Sequence, residues 1–230
     1  MQKLKLDSEA QWLEARKGRI TGTFASYLMG EGYENKSPSQ LVEIFKNGNK
    51  KNFTPEQQEK IDFGKYAEKH LRALFALEYG VKVIEEENTL YISNLDERIV
   101  GSVDGLIESR LGLGVLEIKT SSCNCSSPFM RNNALRKWDS IPRYYYWQVI
   151  HYMLVTDAQY ACVRAYNRIS CVESNCEQVN TCRYRNYKKF IDFQMFRRDV
   201  EGDIQALKER CLDFLEAVDN GKLPSFGFKL

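Results

Sequence analysis

Asp104, Glu117 and Lys119 are the side chains best placed in the sequence to do chemistry together. In GLGVLEIKTS, Gly112 to Ser121, the side chains of an extended chain alternate with a period of two. Leu113, Val115, Glu117 and Lys119 share one face, and Gly114, Leu116 and Ile118 the other. A strand that otherwise reads as buried therefore ends with a carboxylate and an ammonium on one side. Twelve residues separate Asp104 from Glu117, and a neighbouring strand can bring the two acids side by side. Two carboxylates with the backbone carbonyl of Ile118 make a hard, all-oxygen site that suits Mg²⁺ or Mn²⁺. Lys119 could then orient or deprotonate a water for attack on phosphorus. Taken alone, an acid-x-lysine pair on a strand is also a solvated ion pair, so its surroundings must decide.

The elements that would position these residues can be read from caps and periodicity. Asp7 or Ser8 caps a first helix, with Ala10, Trp12 and Leu13 inward and Gly18 at its end. RITGT then turns into the apolar FASYLMG, and a polar loop follows from Gly30 to Pro38. Ser37-Pro38 starts another helix, and Thr54-Pro55-Glu56 opens a long one. In it Ile61, Lys65, Glu68, Leu71, Arg72 and Phe75 recur at helical steps until Gly80. VKVIEE, TLYIS and RIVGSVDGLIE read as strands, then come the RLGLG turn and the strand bearing Glu117, together an antiparallel meander. An aromatic helix starts near Pro142, two further strands are AQYACVRAYNR and YKKFIDFQMF, and a last helix runs from Asp199 through Val218. The expected fold is α/β, with a central mixed sheet flanked by helices in a single domain, 1–230.

At 43% hydrophobic and 28% charged residues, the composition excludes disordered and fibrous classes. A formal charge of +2 does not by itself mark a nucleic-acid binder, so any basic surface is local. Candidate clusters are Lys46, Lys50 and Lys51; Arg131, Arg136 and Lys137; and Arg183, Arg185, Lys188 and Lys189. No window approaches the ~18 continuous apolar residues of a membrane span, and MQKLKLDSEAQWLEARKG carries no signal-peptide core. Seven cysteines without such a signal fit reduced thiols in an intracellular protein.

Asp104 with Glu117-Ile118-Lys119 resembles the PD-(D/E)xK nuclease motif, with Ser-Val in place of the residues before Asp. Further stretches resemble one branch, the lambda exonuclease / YqaJ-type viral recombinase family. They are W-x-x-x-R-x-G-x-I-T-G-T from Trp12 to Thr23, G-K-x-x-E from Gly64 to Glu68, and I-P-x-x-Y-x-x-Q-V-x-x-Y-M-x-V-T from Ile141 to Thr156. The last is F-L-E-x-V-x-N-G-K-x-P from Phe214 to Pro224.

The resemblance implies a restriction-endonuclease-like core and a Mg²⁺-dependent exonuclease that degrades duplex DNA 5′ to 3′, leaving 3′ single strands for recombination. It implies that Glu68 joins Asp104, Glu117 and Ile118 at the metal, that Gln148 places or polarises the water beside Lys119, and that Arg16 and Thr23 receive a terminal 5′-phosphate, with Arg19 as the alternative arginine. Double-stranded DNA ends, a homotrimeric ring, a single-strand annealing protein and a bacterial or phage-infected cell complete the expectation. The rival within the superfamily is a nuclease with a metal cluster on Cys162, Cys171, Cys176 and Cys182, though these lack a C-x-x-C pair. Outside it, the rival is a non-catalytic DNA-end-binding module. The aromatic run Tyr144 to Trp147 could stack on bases of a separated strand or fill the helix core.

Overall fold

Local signals set where the helices begin. The computed structural model describes residues 1–48, 53–123, 141–169 and 190–225. The chain opens with β1 (Gln2–Lys5) and α1 (Glu9–Glu14), followed by α2 (Gly22–Leu28), α3 (Pro38–Asn47) and α4 (Pro55–Tyr79). Ser37 and Thr54 each form a reciprocal capping box, with Gln40 and Gln57, and a proline follows each cap. Gly80, at φ +60°, ends α4 in the left-handed conformation. Next come β2 (Lys82–Ile84), β3 (Thr89–Ile92), β4 (Val100–Gly101), β5 (Gly105–Ser109) and β6 (Gly112–Cys123). Then α5 (Arg143–Thr156), β7 (Tyr160–Ile169), β8 (Phe190–Phe196) and α6 (Arg197–Asp219) complete the order.

The central sheet runs β2-β5-β6-β7-β8. All neighbours are antiparallel except β6 and β7, which are parallel, as a crossover through α5 requires. Alternation along β6 sorts its side chains into two cores. Val115 packs with residues of α2, α5 and α6, among them Phe24, Ile150, Met153 and Phe214. Leu116 and Ile118 pack on the other face against Ala67, Leu71 and Phe75 of α4. Each aliphatic side chain so buried contributes about 1.5–3 kcal/mol, and the sheet is held between two helix layers, as the sequence predicts.

The expected single meander is instead divided between two sheets. β3 and β4 pair with β1, a strand the sequence reading did not include, in a separate three-stranded sheet. RIVGSVDGLIE breaks at residues 102–104: β4 stays in the small sheet and β5 enters the central one. Long-range burial causes the break. Ile99 bridges Ile20, and the Val100 carbonyl bonds His151 Nε2 of α5 at 2.8 Å. At the other end, a Cβ on Gly105 would lie 2.6 Å from Val83 Cγ1, so only glycine lets β5 start against β2. The first helix is also shorter than expected and buries no residue. Ala10 is exposed and Leu13 is 53% exposed rather than inward, because α1 lies on a rim and only Trp12 turns in, beneath Arg16. α6 starts at Arg197, two residues before Asp199.

His151 is fully buried, and burial pushes its imidazole down to about 4. A base with a lowered folded pKa withholds a proton that the unfolded chain accepts, so its stabilising contribution is complete above about 6.5 and is lost as pH falls toward 4. The stability difference between wild type and His151→Gln should therefore shrink by about 3 kcal/mol between pH 7 and pH 4, read by urea unfolding at each pH. A constant difference would show that His151 is not held neutral.

Candidate active site

The site forms where β5 stops. Register pairs Gly105 with Leu116, so the next step sets Asp104 opposite Glu117 with no further backbone rung between them. Asp104 replaces that rung with its side chain, Oδ2 accepting the Ile118 N–H at 2.7 Å. A strand residue sends its N–H and C=O to the same edge, so the Ile118 carbonyl also faces this open edge. Glu117 is 1% exposed. Its Oε1 accepts a short bond from Lys119 Nζ, and its Oε2 is buried with no partner. Lys119 also lies 4.7 Å above the ring of Tyr145.

Helices from both layers reach this edge. From α4, Glu68 lines the cleft, and Gly64 one turn earlier allows the approach, since a Cβ there would already sit 3.3 Å from Thr120 Oγ1. From α5, Gln148 and Tyr152 line the floor, with Gln148 Nε2 donating to Tyr152 Oη at 2.8 Å. Arg16, Thr21, Thr23 and Ser102 complete the cleft, of about 840 Å³. Arg16 stacks over Trp12 at 4.3 Å. Burial lowers its guanidinium below the usual range, and no carboxylate among the described residues pairs with it. Arg19 lies outside the cleft lining and donates to the Ala15 carbonyl at the end of α1.

The electrostatics are those of an anionic cluster short of positive charge. Burial, then the charge of Asp104, push Glu68 up to about 7 against the opposing pull of Arg72. Burial and Glu117 push Asp104 up to about 7, and burial raises Glu117 as well. Burial would lower Lys119, but Glu117 and Asp104 outweigh it and hold the ammonium above its usual range. Among the described residues no three His, Cys, Asp or Glu side chains already form a metal cage. Glu117 and Glu68 have turned to the cations beside them, Lys119 and Arg72. The residues nevertheless fit a hard divalent cation: an orphaned buried carboxylate oxygen, an open-edge carbonyl and two further acids that repel one another.

Two residues of the site escape the sequence reading in all but their positions. Arg72, 5% exposed, donates to Glu68 Oε1 at 3.0 Å and, by shorter bonds, to the Asp104 carbonyl and to Glu85. It ties α4 to the break before β5. Tyr152 stands four residues after Gln148, as Arg72 does after Glu68, and helical spacing is the one signal that could have paired them. Glu85 carries no such signal. Of the aromatic run, Trp147 enters the core and Tyr146 bonds Asp203 of α6, whereas Tyr144 and Tyr145 gather with Tyr33, ring centroids 4.1 and 6.0 Å away. Cys162 is a buried free thiol between α4 and the sheet, pushed by burial up to about 12. Cys171, Cys176 and Cys182 lie outside the described residues, as do all the basic clusters except Lys46 on α3.

A mixed sheet between helix layers, with two acids and a lysine at its open edge, defines the class: an α/β protein with a buried anionic site built for a cation. The YqaJ-like viral recombinase domain matches residues 11–159, and the chain belongs to that family. Its fold is similar to an alkaline exonuclease from Laribacter hongkongensis, at 16% identity and TM-score 0.58 over 92% of this chain and 95% of that one. A phage-related exonuclease from Haemophilus somnus 129PT is similar at 14% identity and TM-score 0.55 over 88% of this chain and 96% of that one. No curated protein matches. No helix among the described residues is long and apolar enough to cross a membrane.

Because the crowded acids repel one another, Asp104→Asn should stabilise the metal-free protein by roughly 1–2 kcal/mol while keeping an acceptor for the Ile118 N–H. Urea unfolding at pH 8 in chelator reads this. A loss of stability there would mean that Arg72 and Lys119 already neutralise the site.

Proposed function

We propose that this protein is a Mg²⁺-dependent DNA exonuclease of the PD-(D/E)xK kind, which degrades duplex DNA 5′ to 3′ and leaves 3′ single strands for recombination. The observation that carries this reading is the Glu117 carboxylate, 1% exposed with one oxygen unpartnered, set beside Asp104 and Lys119 on an open strand edge. A protein that only bound DNA would gain nothing from buried carboxylates facing a polyanion. Family membership supports the reading, as do the two structural relatives described as exonucleases.

Glu68, Asp104, Glu117 and the Ile118 carbonyl would hold Mg²⁺, or Mn²⁺ in its place. Such an ion supplies neutralisation of phosphate charge and a lowered pKa for water. Lys119 stays cationic beside Glu117, so it acts as a donor that orients the nucleophile or a phosphoryl oxygen and does not take a proton. Gln148 spends its Nε2 on Tyr152, which leaves Oε1 to accept from the attacking water. Arg16, a cation without a carboxylate partner, and Thr23 in the first turn of α2 suit a terminal 5′-phosphate, which a guanidinium fork binds well. This gives the direction of digestion. A homotrimeric ring around the DNA supplies processivity that a net charge of +2 would not, and the single strand passes to an annealing protein.

Asp104→Ala or Glu117→Ala should abolish Mg²⁺-dependent cleavage of an end-labelled duplex and leave DNA binding measurable. Lys119→Ala should slow cleavage by about 10²–10⁴-fold. Near-normal turnover in either acid variant ends the reading. Degradation should start faster on 5′-phosphorylated than on 5′-hydroxyl ends, and Arg16→Ala should erase that preference; an equal loss on both ends makes Arg16 structural. Light scattering tests the ring, which requires a mass three times the 26.8 kDa of the chain.

A further inference from the structure

Tyr152 lies on the floor of the cleft, 5% exposed, and the chemistry above gives it no part of its own. Two glycines from different elements make room for its ring. A Cβ on Gly22 of α2 would lie 2.7 Å from Tyr152 Cε1 and 2.9 Å from Gln148 Cγ, and a Cβ on Gly101 of β4 would lie 3.1 Å from Tyr152 Cδ1. A tyrosine that served only to fill the core could be met by alanine on either side. Here the backbone itself is brought against the ring, which leaves the hydroxyl little freedom to move.

That hydroxyl meets one group, the Gln148 amide, with Nε2 donating to Oη at 2.8 Å. A primary amide has a donor end and an acceptor end of nearly equal size, so an untethered glutamine presents either end to the cleft. Only the carbonyl end accepts a proton from water. We propose that Tyr152 is a positioning residue that fixes the Gln148 amide with Oε1 toward the attacking water, and that Gly22 and Gly101 serve to seat it. The inference rests on the nuclease reading and adds to it the residue that sets the orientation of the amide.

Tyr152→Phe removes one oxygen and keeps the ring between its glycines, so the thermal unfolding midpoint should not move. On a 5′-phosphorylated duplex with Mg²⁺, the single-turnover rate should fall about tenfold, the equivalent of one hydrogen bond, with KM unchanged. In a Gln148→Ala background, where no amide remains to be oriented, the same substitution should change the rate by less than about twofold. Single-turnover rates remain readable for slow variants. A wild-type rate in Tyr152→Phe overturns the inference, and so do equal losses in the two backgrounds, which mark a role independent of Gln148. A wild-type protein without metal-dependent cleavage overturns the nuclease reading instead.

Discussion

The hydrogen bond from the Ile118 N–H to the Asp104 carboxylate, 2.7 Å long, stands where the next rung of the β5–β6 ladder would be. A buried backbone N–H without a partner is costly, and here the partner is a side chain in place of a strand. That substitution does three things at once. It ends the ladder, it brings Asp104 beside Glu117, and it leaves the Ile118 carbonyl on an edge that no strand covers. Had β5 continued by one more residue, its backbone would have occupied the place where the chemistry is to happen.

The open edge also explains how helices from opposite faces of one sheet come to share a site. α4 packs on Leu116 and Ile118, and α5 packs on the Val115 face. Along the closed part of the sheet their side chains are kept apart by the strands. Past Leu116, Glu68 from one layer and Gln148 from the other line the same cleft. Arg72 holds the first of these in register, because its guanidinium joins Glu68 to the Asp104 carbonyl across the break.

The surrounding framework carries the strain of the crowded acids. At the far end of α4, Arg164 is 2% exposed and pairs with Asp192 at 2.7 Å and with Glu78 at 2.6 Å. It thereby fastens α4 to β7 and β8, and Phe75 lies 4.9 Å beneath its guanidinium. Removing one member of such a buried network leaves an uncompensated charge, a cost of about 3–5 kcal/mol. A helix clamped at its C-terminal end can present an acid at its middle against like charge. His151 does the equivalent for the other layer, tying α5 to the Val100 carbonyl immediately before the break.

Sequence alone determined whatever depends on neighbours within a few residues. The alternation that puts Glu117 and Lys119 on one face of a strand is local, and so are the capping boxes at Ser37 and Thr54 and the left-handed stop at Gly80. The layered α/β arrangement and the family were legible from such signals together with ordered motifs. The tertiary structure decided the rest. VGSVDG reads as a continuous strand because its residue types favour one, yet it divides between two sheets, since Ile20, His151 and Val83 draw its two halves to different places. Arg72 finds acceptors on three segments as far apart as Glu68, Glu85 and Asp104, a meeting no periodicity encodes. Gly22 and Gly101 read as turn residues until Tyr152 is seen against them. Local spacing fixes which way a side chain points, whereas what it meets there depends on packing between segments distant in the chain.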